Sequence, residues 1–481
     1  MSENNESKVV NHIFNVGLGT VVNIILGLIT TPLITRIADP SEYGQLSVFN
    51  AYADIMLAFL YLGLDRSLMR FFYDDEDIKS KRSLLKICFL LPVVTTVIAM
   101  GAFVLLSYFG IIRNELTGLY IGLLTVYCVV SVWNKISTIL LRVTYKTKEY
   151  SFCTVLQKVV YCLVILAYVF FINKNYFLMM VLASIISIAF AAGYASISAK
   201  EYWKFMDAPL PSNTKEVLRF GLPFILYSCT DALLDSMDKL ALDYYCTEFE
   251  TGVYASAVSL VAIFLIVKTV FETVWIPMQT EHFVKNPDDP TFIQKGSLYL
   301  TIVLMFVGIN VMIFKDLFCF ILGSKYRDAA QIIPFLYLGS TFYAISDTTM
   351  CGIDMSKKSY LHALAGVFAC VINLTGNAIL VPLLGSKGAA LATCASFLVY
   401  FIVRTYFSLK NYYINYSLGK LSVVSIFVII FAYINTFYSF GAVTVISYFV
   451  VMIVFGVVYF KDIKGLILYG FGILKEMLGM D

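Results

Sequence analysis

The sequence predicts an all-helical, polytopic membrane protein of about fourteen transmembrane helices, arranged as two six-helix lobes and a C-terminal helix pair. Three observations carry that expectation. Charged residues make up only 14% of the 481 positions and hydrophobic ones 59%, whereas a soluble domain carries roughly 25% charged residues. The apolar character is no single anchor: it recurs almost end to end in runs of ~20 residues, the length that a bilayer core demands. The lysines and arginines, finally, favour one side of those runs over the other.

The N-terminal stretch MSENNESKVVNH is polar and nearly neutral, unlike a signal peptide, and the apolar run after it is too long for a signal core. It is read as a retained first span, 11–36, in which Gly17, Gly19 and Gly27 allow close helix contact. Spans at 43–64, 84–109, 116–141, 152–172 and 176–197 complete the first lobe, residues 1–198. A polar linker, 199–216, contains Pro209 and Pro211. Spans at 217–243, 252–276, 297–322, 329–350, 360–381 and 386–408 form the second lobe, 217–409. The additional pair, 418–438 and 442–460, lies with the tail in 410–481. Both halves open alike, Glu42-Tyr43-Gly44 recurring 208 positions later as Glu250-Thr251-Gly252.

Placing both termini in the cytoplasm puts 24 of the 35 Lys and Arg on the cytoplasmic side, Arg404 among them, and 7 on the other. Four lie inside spans: Lys135, Lys158, Lys239 and Lys268. A single missed span would invert every later loop and erase this asymmetry. The longest extramembrane stretches, near 65–83, 198–216 and 277–296, are too short for a soluble catalytic domain. The ten cysteines are scattered singly, and His12, His282 and His362 are too dispersed for a metal site, so neither a disulfide framework nor a metal centre is expected. A net charge of +3 carries no nucleic-acid signal. No cofactor is expected beyond a coupling proton or sodium ion.

An ionisable side chain deep in a bilayer costs about 2.5–3.5 kcal/mol on insertion scales, so it faces a wet cavity or a partner. Span seven carries Asp231, Asp235, Asp238, Lys239 and Asp243, whose spacing puts the four carboxylates along one broad helix face. Asp235 and Lys239 pair at i,i+4, and the excess acid marks a coupling-ion or gating site. Span eight sets Lys268, Glu272, Trp275 and Gln279 on one stripe, with Glu272 grouped with those acids. Lys135 in span four and Lys268 are deep enough to meet an anionic ligand, whereas Lys158 is read as snorkelling to the surface. Asp54 and Asp347 are the candidate salt-bridge partners for these lysines.

Several motifs then line up with one family. Span one ends in Pro32-Leu-Ile-Thr-Arg36, followed by Pro40-Ser-Glu-Tyr-Gly44. Leu62-Gly63-Leu64 precedes Arg70-Phe71-Phe72, and span seven begins Phe220-Gly221-Leu222-Pro223. Gly252-Val-Tyr254, Gly323-Ser-Lys-Tyr326 and Gly388-Ala389-Ala390-Leu391-Ala392-Thr393 follow in order. This series resembles the polysaccharide-transport branch of the multidrug/oligosaccharidyl-lipid/polysaccharide exporter superfamily, the bacterial O-antigen and capsule repeat-unit flippases. The resemblance implies a V-shaped, two-lobe helical fold in the bacterial plasma (inner) membrane. It implies a cationic cavity for a polyprenyl-diphosphate-linked oligosaccharide, with membrane lipids and the glycosyltransferases and polymerase of the same pathway as partners. Lys135, Lys268 and Lys239 are the expected diphosphate ligands, because two phosphates in a low-dielectric interior require compensating charge. Arg36 and Arg70 are expected at a cytoplasmic gate or in structural anchors, and Gly44 and Gly252 at tight turns. Related lipid II flippases carry arginines early in their first two spans; here none precedes Arg36 and Arg66, which argues against lipid II.

The expected function is therefore transport without covalent chemistry, not an enzyme's. A cation-coupled multidrug exporter of the same superfamily resembles the chain in its twelve core spans, but the extra pair and the buried lysines favour an anionic lipid passenger. An integral-membrane polymerase or ligase needs a sizeable outer loop with catalytic residues, and the outer loops here are only a few residues long.

Overall fold

A computed structural model of the chain describes residues 26–108, 118–171 and 175–477, except positions 28, 207, 212, 357 and 359 and, within 266–288, all but 268, 271, 275, 278, 279, 282, 283, 285 and 286. Every regular element among these residues is a helix. The chain divides into two compact units, Met1–Leu240 and Ala241–Asp481.

The first unit holds α1 (Pro40–Leu60), α2 (Leu64–Phe71), α3 (Ile78–Tyr108), α4 (Gly118–Val143), α5 (Thr147–Phe171), α6 (Tyr176–Ser198), the short α7 (Lys200–Trp203) and most of α8 (Thr214–Tyr245). Phe49 of α1 is fully buried and meets Tyr120, Tyr127 and Phe177 edge-on, with centroids 5.3, 5.5 and 6.2 Å away. That cluster fastens α1 to α4 and α6. A single apolar span covers α1 and α2 but bends by 50° between them. The cause is local: Leu62 and Gly63 both have left-handed backbone, φ 52° and 66°, which an α-helix cannot accommodate.

The second unit continues with α9 (Glu248–Phe264), the described positions of 268–286, α10 (Thr291–Ile313), α11 (Lys315–Cys319), a 3-10 helix (Ser324–Gln331), α12 (Ile333–Thr349), α13 (Cys351–Met355), α14 (Tyr360–Leu384), α15 (Ser386–Asn411), α16 (Leu418–Phe437) and α17 (Ala442–Met477). Helix α15 packs along α14 and against α12. The Gly388–Thr393 segment is the seam of that contact. A Cβ on Gly388 would strike the Leu380 carbonyl, and one on Gly376 would lie 2.9 Å from the Ala392 Cβ. Small residues are thus required where the two backbones come closest.

Ten helices among the described residues are long and apolar enough to cross a membrane, and two bent pairs bring the number to twelve. The second pair, Ser324–Gln331 with Ile333–Met355, bends by 56°. These helices correspond to twelve of the fourteen expected spans; the other two, 11–36 and 252–276, include residues outside the described set. Gly44 and Gly252 do not sit in turns as expected. Both lie inside helices, because the start signals fall four or five residues earlier, at Asp39-Pro40 and Thr247.

The motif repeat turns out to be a shared capping device. Asp39 and Thr247 are the N-caps of α1 and α9, and Glu42 and Glu250 follow three residues on. Glu42 accepts from the Asp39 N–H (3.3 Å) and, through its other oxygen, from the N–H of Tyr176 at the start of α6 (2.9 Å). Glu250 likewise accepts from the N–H of Ser386 at the start of α15 (3.2 Å). Each of those helices is preceded by a residue with positive φ, Asn175 or Gly385. In both units a carboxylate therefore meets the positive end of a helix dipole and satisfies an orphan N–H. Replacing Glu42 with alanine is expected to cost about 1.5–3 kcal/mol, the contribution of hydrogen bonds to a charged group. Thermal unfolding in detergent reads this, with Glu42→Gln, which keeps the acceptor, losing less.

Candidate functional site

The charged residues that the sequence places inside spans separate into two groups, one in each unit. In the second unit Lys268 lies beside Asp347 of α12, Nζ to Oδ2 3.7 Å, with its ammonium 4.2 Å from the centroid of the Tyr343 ring. The other oxygen of Asp347 is taken by Arg404 of α15, at 2.6 Å from NH1. NH1 also donates to Ser346 Oγ (3.2 Å), and the guanidinium stands over the Tyr400 ring at 5.2 Å. The guanidinium Nε donates to His362 Nδ1 of α14 (3.1 Å), and His362 Nε2 lies 2.8 Å from Asp354 of α13. Two cations thus converge on one carboxylate within an apolar bundle. Arg404 is only 7% exposed, so water screens this cluster weakly. Further along the Lys268 segment, a cavity of about 640 Å³ is lined by Phe271, Trp275, Met278, His282, Lys295 and Tyr299, among others.

The first unit holds the acids. Asp235 of α8 interacts electrostatically with Asp231, Asp238 and Lys239 on its own helix and with Asp54 of α1. Asp54 in turn faces Lys239, so the expected acid-rich face of span seven gains a further carboxylate from a neighbouring helix. Asp231, Asp235 and Asp54 are exposed, Lys239 is half-buried and Asp238 is buried. Helix α8 could not present so many carboxylates to hydrocarbon without a large penalty, which argues that this face is wet.

Lys135 is exposed, with its ammonium 6.0 Å from the Tyr61 ring centroid. Asp347 joins Lys268, as anticipated, whereas Asp54 sits with Lys239. Glu272 lies outside the described residues. Arg36 is exposed, and Arg70 forms an exposed i,i+4 pair with Asp74 at 2.6 Å; such pairs contribute little. The residues that sequence reasoning missed are Arg404, counted with the loop cations, and His362, set aside as dispersed. The one available signal is that position 404 falls within the span expected at 386–408.

Two polar pairs are also buried in the second unit, one joining α9 to α15 and one within α14. Tyr254 Oη is 3.3 Å from Thr393 Oγ1, and Asn377 Nδ2 donates to Asn373 Oδ1 at 3.0 Å. All four are buried, and in an apolar interior such groups persist because they bond one another.

No curated protein sequence matches the chain. Solved structures share its fold. An inward-closed lipid II flippase superimposes with a TM-score of 0.64 at 14% identity, covering 94% of this chain and 99% of that one. An inward-facing multidrug-resistance MATE transporter gives 0.57 at 16% identity, over 82% and 94%. A MATE transporter in complex with the ligand MaD5 gives 0.55 at 14% identity, over 83% and 95%. At these identities the likeness establishes the fold. A family model described as polysaccharide biosynthesis protein matches residues 9–283, more than half of the sequence. That match places the chain in the polysaccharide biosynthesis protein family, with a helical fold shared with those solved transporters.

Proposed function

We propose that the protein is a flippase. It carries a polyprenyl-diphosphate-linked oligosaccharide repeat unit from the inner to the outer leaflet of the bacterial plasma membrane by alternating access, for surface polysaccharide of the O-antigen or capsule kind. The observation that carries this reading is the convergence of Lys268 and Arg404 on Asp347 inside the second unit. Fixed cations in a low-dielectric bundle suit a diphosphate and oppose a cationic drug. The C-terminal pair α16 and α17 supports the same reading, since the sequence places it after the twelve expected spans that a drug exporter shares. Lys135 and Lys239 are the proposed further contacts for the headgroup, and the carboxylates around Asp235 the proposed coupling site for a proton or sodium ion.

The test is reconstitution in liposomes with a fluorescent polyprenyl-diphosphate disaccharide, its inner-leaflet fraction followed by an impermeant quencher. Transport should rise when a proton or sodium gradient is imposed. Lys268→Ala and Lys135→Ala should each lower it about tenfold, the scale of one charge-assisted hydrogen bond, at unchanged protein level. Transport of a cationic dye with none of the lipid would turn the assignment to the drug-exporter class.

A further inference from the structure

His362, in the first turn of α14, has a charged partner at each ring nitrogen. Nδ1 is 3.1 Å from Arg404 Nε, and Nε2 is 2.8 Å from Asp354 Oδ1. A guanidinium Nε carries a hydrogen and has no lone pair to offer. Nδ1 must therefore accept, which requires it to be bare. Nε2 then bears the ring proton and donates it to Asp354. The contacts fix a neutral imidazole in one tautomer. They also form a continuous series from Asp354 through His362, Arg404 and Asp347 to Lys268, tying α13, α14, α15 and α12 to the segment that bears Lys268.

We propose that His362 is a positioning residue for Lys268: neutral, it holds Arg404 on Asp347 and leaves Lys268 to the anionic headgroup, and protonated, it lets Asp347 turn to neutralise Lys268. This rests on the flippase reading above. Protonation would set an N–H against the guanidinium N–H and place a second cation beside Arg404, so that link breaks. Asp354 draws the imidazolium toward α13, and Arg404 loses the partner that orients its fork. Asp347 Oδ2 needs to close on Lys268 by only about 1 Å to make a full hydrogen-bonded ion pair. Among the described residues, the other groups around this series include Ser346 of α12, the Met350 sulfur at 2.7 Å from Arg404 NH2, Tyr400 of α15, the Tyr343 ring under Lys268, and Lys358, which is held by Asn411 at 2.8 Å. None of them can replace an unprotonated Nδ1 as the acceptor for Arg404 Nε without moving the helix that carries it.

The experiment is the liposome assay with the polyprenyl-diphosphate disaccharide at equal pH on both sides, between about pH 8 and about pH 5. Wild-type transport should fall at least fivefold at the acid end. His362→Gln keeps an acceptor for Arg404 but cannot be protonated, so it should transport within twofold of wild type at pH 8 and lose the fall at the wild-type midpoint. His362→Lys should be low throughout. Asp354→Asn removes the acid that attracts the imidazolium and should move the midpoint to lower pH. A His362→Gln profile that still falls with the wild-type midpoint would overturn the proposal; if that variant does not fold, an unmoved Asp354→Asn midpoint does the same. Absence of wild-type transport at every pH would refute the flippase reading instead. Thermal stability of the detergent-solubilised protein reads the link without any passenger: the wild type should lose stability on acidification and His362→Gln should not.

Discussion

Replacing Arg404 with alanine is expected to remove most of the folded protein. The guanidinium is 7% exposed, and its donors reach Asp347, Ser346 and His362 on two other helices. Truncation leaves the Asp347 carboxylate without its 2.6 Å partner and the His362 acceptor without a donor, both largely withdrawn from water. Breaking a buried pair from one side costs about 3–5 kcal/mol, a large fraction of the ~5–15 kcal/mol that holds a protein folded. Arg404→Lys should recover little, because one ammonium cannot supply both the Nε bond to His362 and the NH1 bonds to Asp347 and Ser346. The double variant Arg404→Ala with Asp347→Ala should be more stable than the sum of the two single losses implies, since neither half of the Arg404–Asp347 pair is left facing the gap of the other; an interaction energy above about 1 kcal/mol is expected for groups in direct contact. Thermal midpoints and the yield of monodisperse protein measure all four. A lysine variant as stable as wild type would mean that the fork geometry is not what holds these helices together.

What the sequence discloses and what it hides follow from the range of the forces involved. Apolar run length is imposed by the bilayer, so helices such as Tyr176–Ser198 and Leu418–Phe437 fall within a residue or so of their expected limits. The bend after Leu60 is set by two residues of left-handed backbone, one of them a leucine, and no local preference of leucine announces that. The pairing of Lys268 with Asp347 is legible in outline, because an isolated acid and an isolated base in apolar runs each require a partner. Arg404 is not, because an arginine a few residues from a helix end ordinarily snorkels to the interface; here it turns inward to an acid 57 positions earlier in the chain. His362 is invisible for the same reason, its partners lying on α13 and α15. The Glu42 and Glu250 repeat is visible as a pattern, but its purpose emerges only when Tyr176 and Ser386 arrive at the same place in their own units.

The motifs Leu62-Gly63-Leu64 and Phe220-Gly221-Leu222-Pro223 meet in the first unit, and Gly63→Ala should be the most damaging single-methyl change there. Gly63 has φ +66°, and a Cβ on it would land on the Gly221 carbonyl oxygen. A left-handed backbone costs a non-glycine residue about 1–2 kcal/mol. Separating two backbones in a packed interior adds about 1–3 kcal/mol. Nothing flexible can yield, since the struck atom is main chain. The contact also seats Ser67, whose hydroxyl donates to the Val217 carbonyl at 2.8 Å and pins α2 to the start of α8. Gly221→Ala should be milder: its Cβ would lie 2.8 Å from the Leu62 carbonyl oxygen and 2.9 Å from Ser67 Oγ, but its backbone carries no left-handed strain. Gly456 of α17 has open space around its would-be Cβ and is the control, expected to gain slightly on replacement because alanine favours the helix. Thermal unfolding of the three variants should rank Gly63→Ala lowest, Gly221→Ala next and Gly456→Ala at or above wild type. Equal midpoints for Gly63→Ala and Gly456→Ala would show that α2 and α8 do not meet backbone to backbone.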